Sequence, residues 1–559
     1  MKIFAKQASG KRGYQSERGA ALITVLLISV PLLMAGGGLI MITSMSVSNT
    51  ADAAAETKAY YAAEAGAQQV LGVLRGNVAP SPLFATNPSG SVASENKISF
   101  KRAVSTATSN LSSDTSSSAR LSRWLSYDST YTDRITLVSN YTPQSGMAFS
   151  TSLSDPDNSK VVTFSTSGGF TNYAFSTAHQ FGAGGNRATL TYIPQASTTI
   201  TDSGNSTLGL FRITDSVGSI AVSNEPFQLT ITQTAPWSAT ATINCTLSGT
   251  ITSGSSLVVV TFPTQSNNIG AVFTRSSNPV NSNNSTSIAV SVTAPQPNRL
   301  TAQIIGYGPR ASQKQMQLLL SRFAFDLSAV SAITLRSADD GSLASFNAGS
   351  SSVYSYSGYD NAGGVNLPAI GVTSTQDYNN LTGMGLPGTQ IIGSPVNVQQ
   401  VSVPNLPSWL QTADAARALV IQLRTSAQNN GRYFTAASPP SSFGTTSAPV
   451  MTFVDGDCTL PPAGGAGLLV VTGALTADGN APYSGLVLVL GGGQLLRNGG
   501  GNGDSLGSFL IAKFDNSGDF LAPTFNSSGS GTSTITYDSD WVRKAMASPG
   551  PRVMAVGEF

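Results

Sequence analysis

The chain has 559 residues, of which only 10% are charged, and its formal net charge is +2. That length allows several domains. The sparse charge gives no support to bulk nucleic-acid binding, which rests on clustered Lys and Arg against phosphates. Two cysteines and one histidine exclude a structural zinc site made of four soft ligands.

Residues 1–19 read as a basic leader, with Lys2, Lys6, Lys11, Arg12 and Arg18 against a single Glu17. An uncharged stretch follows from Ala20 to Ala51. Its first part, Ala20 to Met45, exceeds the roughly 20 apolar residues that cross a bilayer as a helix. The basic flank orients the N-terminus to the cytoplasm. A secretory signal peptide competes with this reading, but its apolar core usually runs about 7–15 residues. No Gly or Pro interrupts the chain from Ala51 to Tyr60-Tyr61. A plain N-terminal membrane anchor is the simpler alternative. Without residues 1–19, 25 basic residues face 27 acidic ones, so nothing strongly basic is left.

Two local patterns narrow the choice. Glu17-Arg18-Gly19-Ala20-Ala21-Leu22 resembles the processing site of type IV prepilins, and Ala59-Tyr60-Tyr61-Ala62-Ala63-Glu64-Ala65-Gly66 resembles the second half of the N-terminal signature of PilX-type minor pilins. The resemblance implies cleavage between Gly19 and Ala20 by a prepilin peptidase and methylation of the new amino terminus. It marks Tyr60, Tyr61, Ala63, Glu64 and Gly66 as family positions. It also implies other pilins and the inner-membrane assembly platform as partners, and a membrane location before assembly, then a filament or cell-surface one. Most pilins carry a glutamate as the fifth residue after the cleavage point, where this chain has Thr24. A carboxylate in lipid is tolerable only when paired, so its absence removes a cost and an assembly contact. The departure suggests a low-copy tip subunit. Pro31 and Gly36-Gly37-Gly38 fit either a helix that loosens in a filament or an ordinary membrane helix.

The helix is expected to end near Gly72 to Gly76, before Pro80-Ser81-Pro82. Residues 83–200 are rich in Ser, Thr and Asn and give no definite fold beyond candidate strands such as Arg134 to Val138. From 200 to 300, Phe227/Leu229/Ile231 and Ile288/Val290/Val292 alternate between turn-rich segments, and Leu257 to Val260 reads as a short buried run. This is the pattern of a small β-sandwich with Trp237 in its core. Arg299 to Gly308 then reads as a strand leading into an amphipathic helix over Arg310 to Arg322, with Met316, Leu319, Leu320 and Phe323 on its apolar face. That join resembles the sheet-to-helix element of PilX-type proteins and implies a sandwich inserted into a pilin-like head.

The last third changes character. Tyr356 to Asp360 and Leu367 to Val372 are short strands, and Pro407 to Ala427 is a helix with Leu410, Leu419, Val420 and Leu423 as its apolar positions. Gly467 to Gly473, Gly485 to Gly491 and Ser508 to Ala512 recur at near-regular spacing, which suggests a short β-solenoid. Cys245 and Cys458 fall in different modules, where a disulfide and two buried thiols are both open.

Sharper chemistry finds little support. Gly499-Gly500-Gly501-Asn502-Gly503-Asp504 lacks the spacing of either nucleotide motif. Asp455-Gly456-Asp457, Asp478-Gly479-Asn480 and Asp515 to Asp519 depart from the twelve-residue calcium loop and read as turns. His179 has no acidic neighbour in sequence and reads as a surface histidine. No catalytic residue, metal ligand or cofactor is assigned, and the chain reads as non-enzymatic.

The expected fold is α+β: a leader at 1–19, a helix with the membrane span at 20–76, a pilin-like head with a sandwich insertion at 77–326, and a β-rich module at 327–559. The expected function is a tip-located minor pilin acting in filament assembly, with adhesion as a further role. The alternatives are a membrane-anchored surface binding or glycan-active protein that never enters a filament, and a type II secretion tip pseudopilin.

Overall fold

A computed structural model describes residues 17–77, 100–104, 125, 131 and 133–559, apart from short breaks at 253–255, 264–265, 276–277, 281–284, 350–353, 479, 499–502, 516–517 and 529–532. The leader residues Lys2 to Arg12, the Pro80-Ser81-Pro82 break and the Gly499 to Asn502 run lie outside the described residues. The fold is α+β, with one long N-terminal helix and a strand-rich body.

Helix α1 runs from Glu17 to Arg75, through Pro31. Several of its hydroxyl side chains are tied back to its own turns: Ser29 donates to the Leu26 carbonyl, Thr43 to Leu39 and Thr50 to Ser46. They therefore add no unsatisfied hydroxyl to an apolar environment.

The second half of α1 lies across an antiparallel sheet formed by β1 (Ile135–Thr136), β2 (Ala148–Ser154), β3 (Arg299–Tyr307), β4 (Gln313–Ser321) and a C-terminal strand, Arg552–Glu558, in that order. The strand β4 replaces the amphipathic helix expected over 310–322. The same residues also alternate with period two, and Met316, Leu318 and Leu320 are the buried ones. Hydrogen-bonding partners on both edges select that period: Leu300 faces Leu320, Ala302 faces Leu318 and Ile304 faces Met316, while Leu318 faces Val556 on the other side. Phe149, Ile304 and Leu318 are buried between sheet and helix, each worth about 1.5–3 kcal/mol.

Two large modules interrupt this sheet. Between β2 and β3 the chain builds two six-stranded antiparallel sheets with a common core. The sandwich occupies 161–293, and so takes in residues 161–200, about the last third of the region that sequence left without a fold. Phe227, Leu229, Ile231, Ile288, Val290 and Val292 are all buried in it. Val258 and Val260 are buried but Leu257 is exposed, so that run alternates instead of being buried throughout. Trp237 is not in the core: it is half-buried against Gly270 at the edge of the sandwich.

Between β4 and the C-terminal strand lies the second module. Strands β5 (Val450–Asp455), β6 (Gly465–Val471), β7 (Tyr483–Gly491) and β8 (Gly503–Phe514) pair in parallel and in register, each following the one before it in the stack. Ile333–Arg336 continues the parallel stack beyond β8. Helix α2 (Ala413–Asn429), capped by Thr412, covers one face, together with α3 (Ser539–Ala547). Leu410 lies in a single turn before α2. A five-stranded parallel sheet covers the other face. Burial on both faces explains why β6 and β7 read as continuous Leu/Val runs without alternation. The final strand returns to the head, so the expected 327–559 module loses Arg552–Glu558 to the helix-bearing sheet.

Candidate functional site

The helix divides into two halves with opposite surroundings. From Leu22 to Val47 its large apolar side chains are bare, from 44% exposed at Val30 to 81% at Leu33. Leu22, Ile23, Val25, Leu26, Leu27 and Ile28 leave no side of the helix covered. An apolar surface that surrounds a helix is far larger than a water-soluble monomer exposes. The segment is long and apolar enough to cross a membrane. A methyl group added at Gly36, Gly37 or Gly38 would meet nothing within 4 Å beyond its own helical turns, so packing here does not require these glycines. Gly19 and Ala20 lie in the first turns of α1. Thr24 is on the exposed half.

The second half is bound tightly. Ala55, Ala59, Ala62, Ala63, Gly66, Ala67 and Val70 are buried, at the three- and four-residue spacing that puts them on one face of a helix. Their small size lets the sheet backbone reach the helix backbone. A Cβ on Gly308 would sit 2.5 Å from the Ala55 carbonyl oxygen, and one on Gly66 would strike Ile304 and Phe149 at 2.7 Å. The Ser312 hydroxyl donates to the Ala55 carbonyl at 2.8 Å. Arg310 pairs with Asp52 at 3.1 Å and Lys314 with Glu56 at 3.2 Å. All four side chains are about half exposed, so each pair adds roughly 0–1 kcal/mol. Arg310 also shares a shallow groove with Leu39, Thr43 and Val47, so the head begins where the apolar stretch ends.

The family-like block splits by direction. Ala63 and Gly66 are buried in the joint, whereas Tyr61 and Glu64 are exposed. Tyr60 is intermediate, edge-on to Tyr61, and the Glu558 carboxylate beside its hydroxyl raises the phenol above its ordinary range. Its small residues thus serve a close helix–sheet contact. Sequence reasoning missed the other half of that joint. Gly306 and Gly308 read only as the end of the strand from Arg299, although glycine two apart at the end of a strand is the available sign of close backbone approach.

The remaining candidates separate. Cys245 is in the sandwich core, its thiol donating to the Phe227 carbonyl, and Cys458 is in the core of the parallel module. Both are free, and burial pushes each thiol up to about 12, so the disulfide alternative is not formed. In the Asp455-Gly456-Asp457 turn, Asp455 accepts from Thr472 and Tyr433 and pairs with Arg424, while Asp457 accepts from the Ala474 amide. Among the described residues no three His, Cys, Asp or Glu side chains group as metal ligands. No family model, curated protein or solved structure matches the chain.

Proposed function

We propose that this chain is a minor pilin of a type IV pilus system, of the PilX type, cut between Gly19 and Ala20 and acting near the filament tip in assembly. One observation carries the reading: a single unbroken helix is bare and apolar over its first half and bound to an antiparallel sheet over its second. A helix of that kind needs lipid around its first half, or other helices like itself. The rigid joint at Ala55 to Val70 makes the head travel with the helix when it leaves the membrane. The bare Gly36-Gly37-Gly38 face supports close approach of a neighbouring subunit's helix. Thr24, five residues into the processed chain, supports a tip position, where the glutamate contact to a preceding subunit is dispensable. The two inserted β-modules are the surface such a tip would present, and adhesion is the further role that follows.

Mass spectrometry of the mature N-terminus, with and without the prepilin peptidase, tests the proposal. A chain starting at methylated Ala20 only when the peptidase is present is the expected result. An intact leader would leave a membrane-anchored surface protein, and a start near Asp52 would mean secretion. Disruption of the gene should then abolish pilus-dependent motility and leave type II secretion intact; the reverse would assign the chain to the secretion system.

A further inference from the structure

The sandwich carries a turn with two exposed aromatic rings, Tyr173 and Phe175. Between the strands Val161–Phe170 and Ala178–Ala183, the turn is closed by the Phe170 amide on the Ser176 carbonyl. Ala174 and Phe175 are successive non-glycine residues with φ of +50° and +56°. Such backbone is strained, and strain of this kind gathers where geometry is needed for function. Here it leaves Phe175 47% and Tyr173 38% exposed. The Tyr173 ring lies flat on His179, with centroids 3.4 Å apart and planes at 11°. His179 in turn stands edge-on to Phe181 at 4.5 Å, and Phe170 ties the group to Phe227 in the core. Beside it the Asn172 amide donates to Glu225 at 3.3 Å. That contact uses neither the Asn172 carbonyl oxygen nor the second Glu225 oxygen.

The geometry points to a binding site for a neutral sugar ring of a surface polysaccharide. A pyranose has a face of C–H bonds whose positive ends meet the negative face of an aromatic ring, and a rim of hydroxyls that donate to amide and carboxylate oxygens. Tyr173 is already fixed by its stack on His179 and Phe175 by its positive-φ backbone, so binding orders little. A protein partner fits less well. A stable interface covers about 800 Å² per partner around an apolar centre, whereas these two rings are set in the polar run Thr171, Asn172, Ser176 and Thr177, all but Ser176 exposed. A nucleic-acid base would stack equally well, but Glu225 would repel the phosphates and no Lys or Arg lies in the turn. The inference stands on the sandwich alone and does not depend on how the N-terminus is processed.

Affinity electrophoresis of the full chain in detergent, through gels containing hydroxyethyl cellulose, dextran, laminarin or galactomannan, tests it. At least one matrix should retard the wild type. Tyr173→Ala/Phe175→Ala should weaken that retardation by about tenfold or more, the scale on which one decade of affinity is read. Tyr359→Ala, which removes another exposed ring elsewhere, should leave it unchanged. Should the double variant fail to fold, Tyr173→Phe and Phe175→Trp keep both rings and must retain binding, while Asn172→Ala/Glu225→Ala must lose it. Absence of retardation in every matrix, equal retardation of a folded double variant, or retardation by poly(dT) alone would each overturn the assignment. None of these outcomes bears on cleavage at Gly19.

Discussion

Gly306 and Ala59 meet backbone to backbone: a methyl group on Gly306 would sit 2.0 Å from the Ala59 carbonyl oxygen. No side-chain movement relieves that contact, because both parties are main chain. The joint between the membrane-length helix and its sheet therefore depends on two glycines, Gly306 and Gly308, whose partners lie some 250 residues earlier.

Gly306→Ala is accordingly expected to destabilise the head by about 1–3 kcal/mol or more, as overpacking of a tight contact does. Gly38→Ala, which adds a methyl into open space, should leave the melting temperature of the detergent-solubilised protein unchanged. Equal melting temperatures for Gly306→Ala and wild type would refute the joint.

The surface pairs across the same joint should matter little. Arg310→Ala and Lys314→Ala are each predicted to cost at most about 1 kcal/mol, because the partners remain solvated. Urea unfolding monitored on the head is the measurement, and a loss several times larger would show that these charges hold the helix.

In the parallel module, Gly467, Gly485 and Gly507 form a column with positive φ, and a Cβ on Gly485 would lie 1.9 Å from the Gly467 carbonyl oxygen. Gly485→Ala should open the stack. The expected sign is faster amide hydrogen exchange over 465–512 with the sandwich strands unaffected.

Cys245 and Cys458 should be inert towards a thiol reagent at pH 8 until the protein is denatured, since burial holds both thiols near 12. Reductant should leave the melting temperature unchanged. A two-hydrogen mass deficit in the intact chain would reveal a disulfide and contradict the separate cores.

Asp455 gives a pH signature. Burial opposes its ionisation, but the hydrogen bonds from Thr472 and Tyr433 and the charge of Arg424 prevail and lower its pKa. A lowered folded-state pKa means that this group's stabilisation is present above the unfolded value of about 3.9 and is lost as pH falls through the folded one. Asp455→Asn should therefore lower stability at pH 7 and flatten its decline on acidification. Melting temperatures at pH 7 and pH 3 decide it; parallel curves for variant and wild type would refute the coupling.

Some of this protein is written in local order. The helix is legible because Ala20 to Ala51 carries no charge and no Gly or Pro separates it from the Ala59 to Gly66 block, and both depend only on near neighbours in the chain. The sandwich strands around Phe227 and Ile288 are legible for the same reason, since one buried face imposes alternation. The near-regular runs beginning at Gly467, Gly485 and Ser508 suggest a stack because each layer must solve the same steric problem. Gln313 to Ser321 carries two periods at once, and only the strands on either side of it choose between helix and sheet. The return of Arg552–Glu558 to the first sheet, the fit of Gly306 on Ala59 and the stacking of Tyr173 on His179 join residues separated by a whole module or by a reversed turn. Such contacts are decided by long-range packing, in which each residue's environment comes from segments that no local window contains.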